Sequence, residues 1–190
     1  MKQEALRYSI IVTDREGKVI KRLSGRSKSY VKAWNQILNA LAASASKTIQ
    51  DTGGVSRSAG NATAWHLTCP AGAGVTSTGV RLGTGSTAVA ITDYALETPI
   101  AHGVAAGQLN HLAQEYTEPA VAGSTCSFTI KRVFINNSGG TVSGVRELGL
   151  YFRFASATYY AMGFRDVLGG GVDVPDGGAI TVEYTLGATV

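Results

Sequence analysis

The sequence predicts a mainly β protein: an antiparallel β-sandwich or barrel with an N-terminal β-hairpin plus one amphipathic helix. Apolar residues alternate with polar ones along several short segments of the C-terminal third, which is the period of strands with one buried face. Runs of Gly, Pro, Asn and Asp, which form turns, separate these segments. Strand-like and helix-like segments do not alternate, and this argues against a parallel sheet with crossover helices.

The composition fits one such domain that hides part of its surface. The chain has 190 residues, of which 44% are hydrophobic, 16% are charged and 24 are glycine. The charged fraction lies below the roughly 25% of ordinary soluble domains, which suits a protein that packs against copies of itself. The net charge of +4 is uneven: residues 1–50 hold ten Lys and Arg against three acids, and residues 51–190 hold seven against ten.

The N-terminal segment predicts the hairpin and then the helix. Residues 8–13 (YSIIVT) and 18–23 (KVIKRL) are typical of two strands around a turn at residues 14–17. Ser27 or Ser29 can cap the helix, since a serine oxygen accepts an orphan backbone N–H. Apolar residues at steps of three and four then form one helical stripe: Tyr30, Val31, Trp34, Ile37, Leu38, Leu41 and Ala45.

We expect residues 1–47 to act as a basic arm that docks on the mildly acidic body of a neighbouring copy. The expected contacts are helix residues and nearby cations: Tyr30, Trp34, Ile37, Leu38, Leu41, Arg22, Arg26 and Lys28. Residues 48–62 are polar and rich in Gly and Ser, which predicts a linker or loop. Residues 63–190 form the β-body, which should fold without the first 50 residues.

Residues 83–100 (GTGSTAVAITDYALETPI) are predicted to form a corner of the body. The glycines serve a tight turn with positive φ, and residues 88–91 form a short strand. Residues 92–97 form a turn or a single helical turn, which Pro99 ends. A phosphate-binding loop does not fit, because no GK[ST] follows and a dinucleotide loop needs a third glycine and a helix.

The other strands of the body are expected at residues 64–68, at residues 109–116 and in the C-terminal third. The alternating faces of that third are Phe128, Ile130 and Phe134; Leu148, Leu150, Phe152 and Phe154; Tyr160, Met162 and Phe164; and Ile180, Val182, Tyr184 and Leu186. Arg132 interrupts the first face. Residues 172–174 are a short extended piece between turns rich in Gly and Pro.

No group of residues has the spacing of a catalytic or metal site, and we predict no enzyme activity, metal or cofactor. His66, His102 and His111 lack an HExxH motif or a close Cys/His pattern, although the last two could meet in space. No GxSxG elbow accompanies the serines. Aromatic and basic residues do not interleave along a strand, so we do not expect nucleic acid as a partner. The rival interpretation is that the basic N-terminal segment contacts nucleic acid.

The remaining ionisable residues are interpreted as structural. Asp93 and Glu97 could pair on a helical face, but more simply they favour the N-terminus of one helical turn. Glu147 lies off its strand's apolar face, where an ion pair with an Arg of a neighbouring strand is expected. Cys69 and Cys126 could bond within the subunit, bond between subunits or stay free, and a bond needs Cα atoms about 4.4–6.8 Å apart.

Two segments of the body resemble tailed-bacteriophage virion proteins. Residues 82–100 are similar to a stretch in which a GTG turn precedes a D-x-x-L-E segment. Residues 146–152 (RELGLYF) are similar to the E-(I/L)-G-L-(Y/F) strand of tail-fibre-like proteins. The run from FINNSGGT to EYTL also resembles phage structural proteins, so the resemblance covers roughly residues 80–186.

The resemblance implies a tail, fibre, adaptor or decoration protein of a virion, with no catalytic residues. The chain lacks a long repetitive shaft, which favours a compact subunit that forms homo-oligomers or polymers, or joins other virion proteins. No membrane-length apolar run or signal peptide is present, so we expect synthesis in the host cytoplasm. The alternatives are a free-standing filament or tube of phage-like origin, and a glycan-binding module that uses Trp65, Tyr159 and Tyr160.

Overall fold

The computed structural model describes residues 5–27, 29–43, 46–59, 67–154 and 158–189, which form antiparallel sheets and one helix. The elements are β1 (Ala5–Thr13), β2 (Val19–Ser27), α1 (Lys32–Ala43), β3 (Lys47–Gln50), β4 (Ser56–Ala59), β5 (Gly79–Gly83), β6 (Asn110–His111), β7 (Glu115–Tyr116), β8 (Ala120–Ala122), β9 (Thr125–Ile135), β10 (Val142–Phe154), β11 (Tyr159–Val174) and β12 (Ala179–Thr189).

Two sheets form the body. The large sheet has the order β2-β1-β12-β9, and the short strands β6, β7 and β8 all pair with the far edge of β9. The small sheet has the order β11-β10-β5, and β3 and β4 form a separate hairpin. The predicted mainly β, antiparallel, sandwich-like architecture with one helix is therefore confirmed.

The main core lies between these two sheets. The large sheet contributes inward side chains from alternate positions, as period two requires: Leu6, Ile10, Val12, Ile130, Phe134, Ile180, Val182 and Tyr184. The small sheet contributes the opposing side chains, which are Val80, Leu82, Leu148, Leu150 and Phe164. Apolar burial between the sheets is the main term that holds the sandwich together.

The N-terminal hairpin is part of the large sheet and not a separate arm. Strand β1 lies between β2 and β12 and pairs with β12 along its whole length, from Ala5 opposite Gly187 to Thr13 opposite Ala179. Its inward residues Leu6, Ile10 and Val12 are buried in the main core. The boundary predicted at residue 47 therefore does not separate the hairpin from the body.

Deletion of residues 1–27 is expected to unfold the body, not merely to prevent assembly. The deletion removes an inner strand and exposes the flank of β12, including Val182 and Tyr184, which are fully buried in the intact chain. Thermal unfolding followed by circular dichroism should then show no cooperative transition. A peptide of residues 5–27, added in trans, should restore part of it. A sharp transition in the truncated chain alone would contradict this expectation.

The predicted linker is wrong for the residues that the structure describes. Residues 47–59 form the β3–β4 hairpin, in which Ile49 and Ala59 are buried. Asp51 organises its turn, because its Oδ1 accepts the N–H groups of Gly53 and Val55. A polar, Gly-rich composition suits such a turn as well as it suits a linker. Residues 60–62 lie outside the described residues.

Helix α1 starts later than predicted. Ser27 ends β2, and residues 29–31 run extended along β11, where the Ser29 carbonyl accepts the N–H of Arg165 and Val31 donates to Gly163. The predicted serine caps are therefore wrong, since both serines are used in the sheet. The helix packs on β11 and on β3.

Two further differences concern extended segments. Residues 172–174, predicted as a separate piece, belong to β11, which continues through the three glycines at 169–171. The strand expected at 109–116 is divided into β6 and β7. Of the strand expected at 64–68, residues 64–66 lie outside the described residues, and Thr68 forms an isolated bridge with Arg153.

Candidate functional site

Residues 84–98 form an irregular loop over the outer side of the small sheet. The strand expected at 88–91 is wrong. Of the turn or helical turn expected at 92–97, the helical turn is wrong, and a turn lies slightly earlier, where the Asp93 N–H donates to the Ala90 carbonyl. Leu96 is buried and its N–H donates to the Tyr151 hydroxyl at 2.8 Å. Ile91 is exposed, and its carbonyl accepts the N–H of Lys32 at the start of α1.

The glycines of the GTG turn permit close approach. Neither Gly83 nor Gly85 has a positive φ, so the expected left-handed turn is wrong. A Cβ on Gly83 would lie 2.6 Å from the Thr98 carbonyl oxygen, and one on Gly85 would lie 2.7 Å from the Glu97 Cβ. Both contacts are too short for carbon, so only glycine lets the loop return across β5.

Four charged side chains, the carboxylate cluster, anchor this loop. Arg165 on β11 is almost fully buried, and its Nε lies 2.7 Å from Glu147 Oε1. Its Nη1 lies 2.8 Å from Asp93 Oδ2, and its Nη2 lies 3.6 Å from Glu97 Oε2. The ion pair expected for Glu147 is confirmed, with Arg165 as the partner. Asp93 and Glu97 do meet, but around a guanidinium.

Glu147 is the centre of the carboxylate cluster. It is fully buried on β10 and accepts the N–H of Glu97 at 2.6 Å and that of Thr98 at 3.2 Å. Burial alone would lower the pKa of Arg165, but the hydrogen bonds to Glu147 and Asp93 raise it above its usual value. The charged side chains of the cluster therefore contact each other and backbone N–H groups of this chain. This arrangement indicates a structural role.

A second group of charges, the buried arginine cluster, lies at the other end of β5. Arg132 is fully buried on β9, and its guanidinium donates to backbone carbonyls of Leu112, Val80, Thr78, Gly72 and Val75 at 2.8–3.5 Å. Arg81 beside it donates to the carbonyls of Thr76 and Ile100. Burial, and then the neighbouring Arg81, lower the pKa of Arg132 to about 10.

His102 and His111 meet beside this cluster. His102 Nδ1 accepts the backbone N–H of His111 at 3.0 Å, and the ring centroids are 5.3 Å apart. Burial, followed by the charges of Arg81 and Arg132, lowers the pKa of His111 to about 3. No three His, Cys, Asp or Glu residues within the described ranges are grouped so as to hold a metal ion.

His111 should make the folded state less stable as the pH falls from 6.5 towards 3. In this window the unfolded chain binds a proton at His111, whereas the folded chain keeps the ring neutral. The free energy of unfolding then falls by at most about 1.4 kcal/mol per pH unit. Urea unfolding of wild type and His111→Phe at pH 7 and pH 5 measures this. The stability difference between the two proteins must change with pH, since an unchanged difference would refute the assignment.

An apolar groove opens between the sheets beside helix α1. It has a volume of about 400 Å³ and is lined by Trp34, Leu67, Phe128, Ile130, Leu150 and Leu186. Trp34, Phe128 and Leu186 also line an adjoining hollow that reaches Cys126. Pockets of this size and apolar lining are typical of binding surfaces.

The structure divides the predicted assembly contacts. Ile37 is fully buried in the chain's own core, and Tyr30 and Trp34 are half-buried. Leu38 and Leu41 remain 39% and 43% exposed on the helix. The two cations Arg22 and Arg26 are exposed on β2, and Lys28 lies outside the described residues.

Cys69 and Cys126 are not bonded to each other within the chain, so the intramolecular disulfide left open by the sequence is not formed, and a bond between subunits stays a prediction. Cys69 lines the groove, where the Tyr116 hydroxyl donates to its Sγ at 3.5 Å, and burial raises the pKa of its thiol. Cys126 is exposed on β9 and lines the adjoining hollow. Free thiols are the usual state in a reducing compartment.

Of the residues considered for glycan binding, the two that the structure describes, Tyr159 and Tyr160, are half-buried and do not form an open aromatic platform. Trp65 lies outside the described residues. The Arg57 guanidinium covers the Tyr159 ring at 4.7 Å from its centroid, and Tyr159 also packs beside Phe154. The backbone carbonyl of Tyr160 accepts the N–H of Thr52.

Comparisons with protein-family models, curated proteins and solved structures find no match to this chain. No helix within the described ranges is long and apolar enough to cross a membrane.

The sequence patterns do not indicate the role of the two arginines that organise these clusters. Arg132 interrupts an apolar face, and no motif contains Arg165. For Arg132, the signal is an isolated Arg at an inward position of a strand, which indicates a buried cation that needs acceptors. Nothing near Arg165 in the chain indicates that Asp93 and Glu97 reach it.

Proposed function

We propose that the chain is a structural subunit of a phage-like particle, such as a tail, adaptor or decoration protein, and acts by self-association. One observation carries this proposal: an exposed apolar strip on α1 continues into the apolar groove. Leu38 and Leu41 follow Trp34 by four and seven residues, so the three side chains share one side of the helix. Trp34 in turn forms part of the groove wall.

Burial of this surface against a second copy would stabilise an assembly. Exposed apolar patches on soluble proteins commonly mark interaction sites, and half-exposed Leu side chains beside a Trp offer a strong apolar contact. The carboxylate cluster and the buried arginine cluster support a structural role, because their charges hold loops of the chain itself. The resemblance of residues 80–186 to virion proteins suggests the particle in which the subunit serves.

The proposal is tested by electron microscopy and sedimentation of the purified protein. Wild type should form rings, tubes or other large assemblies. The variant L38K/L41K should lose them, because two ammonium groups replace apolar side chains in the contact. The matched control is N35K/N39K, which adds the same charge at exposed positions on another side of the helix.

The control should assemble like wild type. Closed rings would favour a particle subunit, and open tubes would favour the free-standing filament, since a head-to-tail contact that does not close is helical. A wild-type chain that stays monomeric at high concentration would refute self-association. Equal loss of assembly in both lysine variants would refute the groove as the contact.

A further inference from the structure

The outer face of the large sheet is left open by the described residues. No described helix or second sheet packs on it, whereas the small sheet is covered by the 84–98 loop and α1. Strand pairing places its outward residues in straight rows across the sheet. These rows are Arg22, Ile11, Thr181 and Val133; Ser24, Ser9, Glu183, Lys131 and Glu115; and Arg26, Arg7, Thr185 and Thr129.

Charge is divided between the two halves of this open face. The half formed by β2 and β1 carries three exposed arginines, Arg7, Arg22 and Arg26. The half formed by β12, β9 and β7 carries Glu183 and Glu115, with Lys131 between them. Lys131 Nζ lies 2.7 Å from Glu115 Oε2, so this second half keeps one net negative charge. The face therefore has a basic side and an acidic side.

The uncharged side chains of this face suit close packing. They are short or β-branched, and the central ones, Ile11, Thr181 and Val133, are half-buried. Such side chains lose little rotamer freedom when they are buried. Four strands about 4.8 Å apart, with eight residues of each at about 3.3 Å, give roughly 500 Å², and the short strands that pair with β9 extend this area. The extended face approaches the about 800 Å² per partner of standard interfaces.

We propose that this open face binds the same face of a second copy, with a two-fold axis parallel to the strands. That axis exchanges the two sides of the sheet, so the basic half of each copy lies over the acidic half of the other. A two-fold axis in the contact plane but perpendicular to the strands would place arginines over arginines, and like charges at an interface are costly. The contact is isologous and closes after two copies.

This inference rests on the proposed self-association and assigns it a second, separate contact. The open face lies on the large sheet, whereas α1 packs against β11 of the small sheet. The L38K/L41K variant should therefore lose large assemblies yet remain a dimer. A closed two-fold contact combined with a contact through the groove can build a larger symmetric assembly.

The test uses two charge reversals in the L38K/L41K background. One adds R7E/R22E, which makes the whole face acidic, and the other adds E115K/E183K, which makes it basic. Each should associate at least about tenfold more weakly than the L38K/L41K dimer, because like charges then meet. An equimolar mixture of the two should form heterodimers. Analytical ultracentrifugation at low and high salt measures both effects, and circular dichroism verifies that each variant is folded.

The outcomes separate this inference from the proposed function. The inference is overturned if L38K/L41K is monomeric, or if the reversed variants dimerise as well as their parent. It is also overturned if the mixture stays monomeric although both variants are folded. In each of these cases a wild type that assembles leaves the proposed function in place. A monomeric wild type overturns both.

Discussion

Arg132→Ala is expected to lower the free energy of unfolding by on the order of 3–5 kcal/mol. The guanidinium donates to five backbone carbonyls, and four of them, at residues 72, 75, 78 and 80, belong to the segment that leads into β5 and to the start of β5 itself. Removal of the side chain takes this donor from all five carbonyls in the sandwich interior, although the Gly72 carbonyl keeps the N–H of Val75, and it creates a cavity. Relief of the buried charge offsets only part of this loss. The total is comparable with the whole stability of many domains, about 5–15 kcal/mol.

Urea unfolding of Arg132→Ala beside Lys131→Ala gives a matched comparison within one strand. Lys131 points to the outer face, where its ion pair with Glu115 is exposed, and its loss should cost less than about 1 kcal/mol. Arg132→Lys should be intermediate, because an ammonium keeps the charge but cannot reach all five carbonyls. If the two alanine variants were equally stable, the carbonyl contacts would not be what holds this end of the sandwich.

Glu147→Ala is expected to cost a similar amount, about 3–5 kcal/mol, and to release the 84–98 loop. The carboxylate is fully buried and is the Nε partner of Arg165, so its removal leaves a buried guanidinium with only Asp93 and the more distant Glu97. It also removes the acceptor of two loop N–H groups, those of Glu97 and Thr98. Global stability and local order of the loop should therefore both fall.

Urea unfolding measures the first effect, and amide hydrogen exchange at residues 97 and 98 measures the second. Glu97→Ala is the control, because its carboxylate is partly exposed and lies further from Arg165, at 3.6 Å. It should destabilise the chain less than Glu147→Ala does. Unchanged exchange at these two amides in Glu147→Ala would show that other contacts hold the loop.

The predictions that succeeded depend on local patterns. The alternation of Leu148, Leu150, Phe152 and Phe154 specifies a strand with a defined inner face wherever that strand is placed. The partner type for Glu147 was also predictable, because a carboxylate on a strand flank needs a cation. Which Arg it meets was not, since that depends on the register of β10 with β11.

The predictions that failed concern partners distant in the chain. The hairpin has the same sequence pattern whether it belongs to a separate arm or to the large sheet. The pattern therefore does not indicate that β1 pairs with β12. Arg132 is stabilised by carbonyls of a loop some 50 to 60 residues earlier, and carbonyls are present at every position of every sequence. The composition of residues 48–59 predicts a linker where the structure has a hairpin, because tight turns and linkers are both rich in Gly, Ser and Asp.

The pairing of β1 with β12 has a consequence for how the chain reaches this structure. The inner strands of the large sheet come from opposite ends of the described chain, so β1 and β9 have no common neighbour until β12 is made. Contacts this distant in sequence carry a large loop-closure entropy, and domains rich in them fold slowly. A nascent chain would therefore present two unsatisfied sheet edges until β12 is synthesised. Completion of the sheet, and with it the open face, would be among the last events of folding.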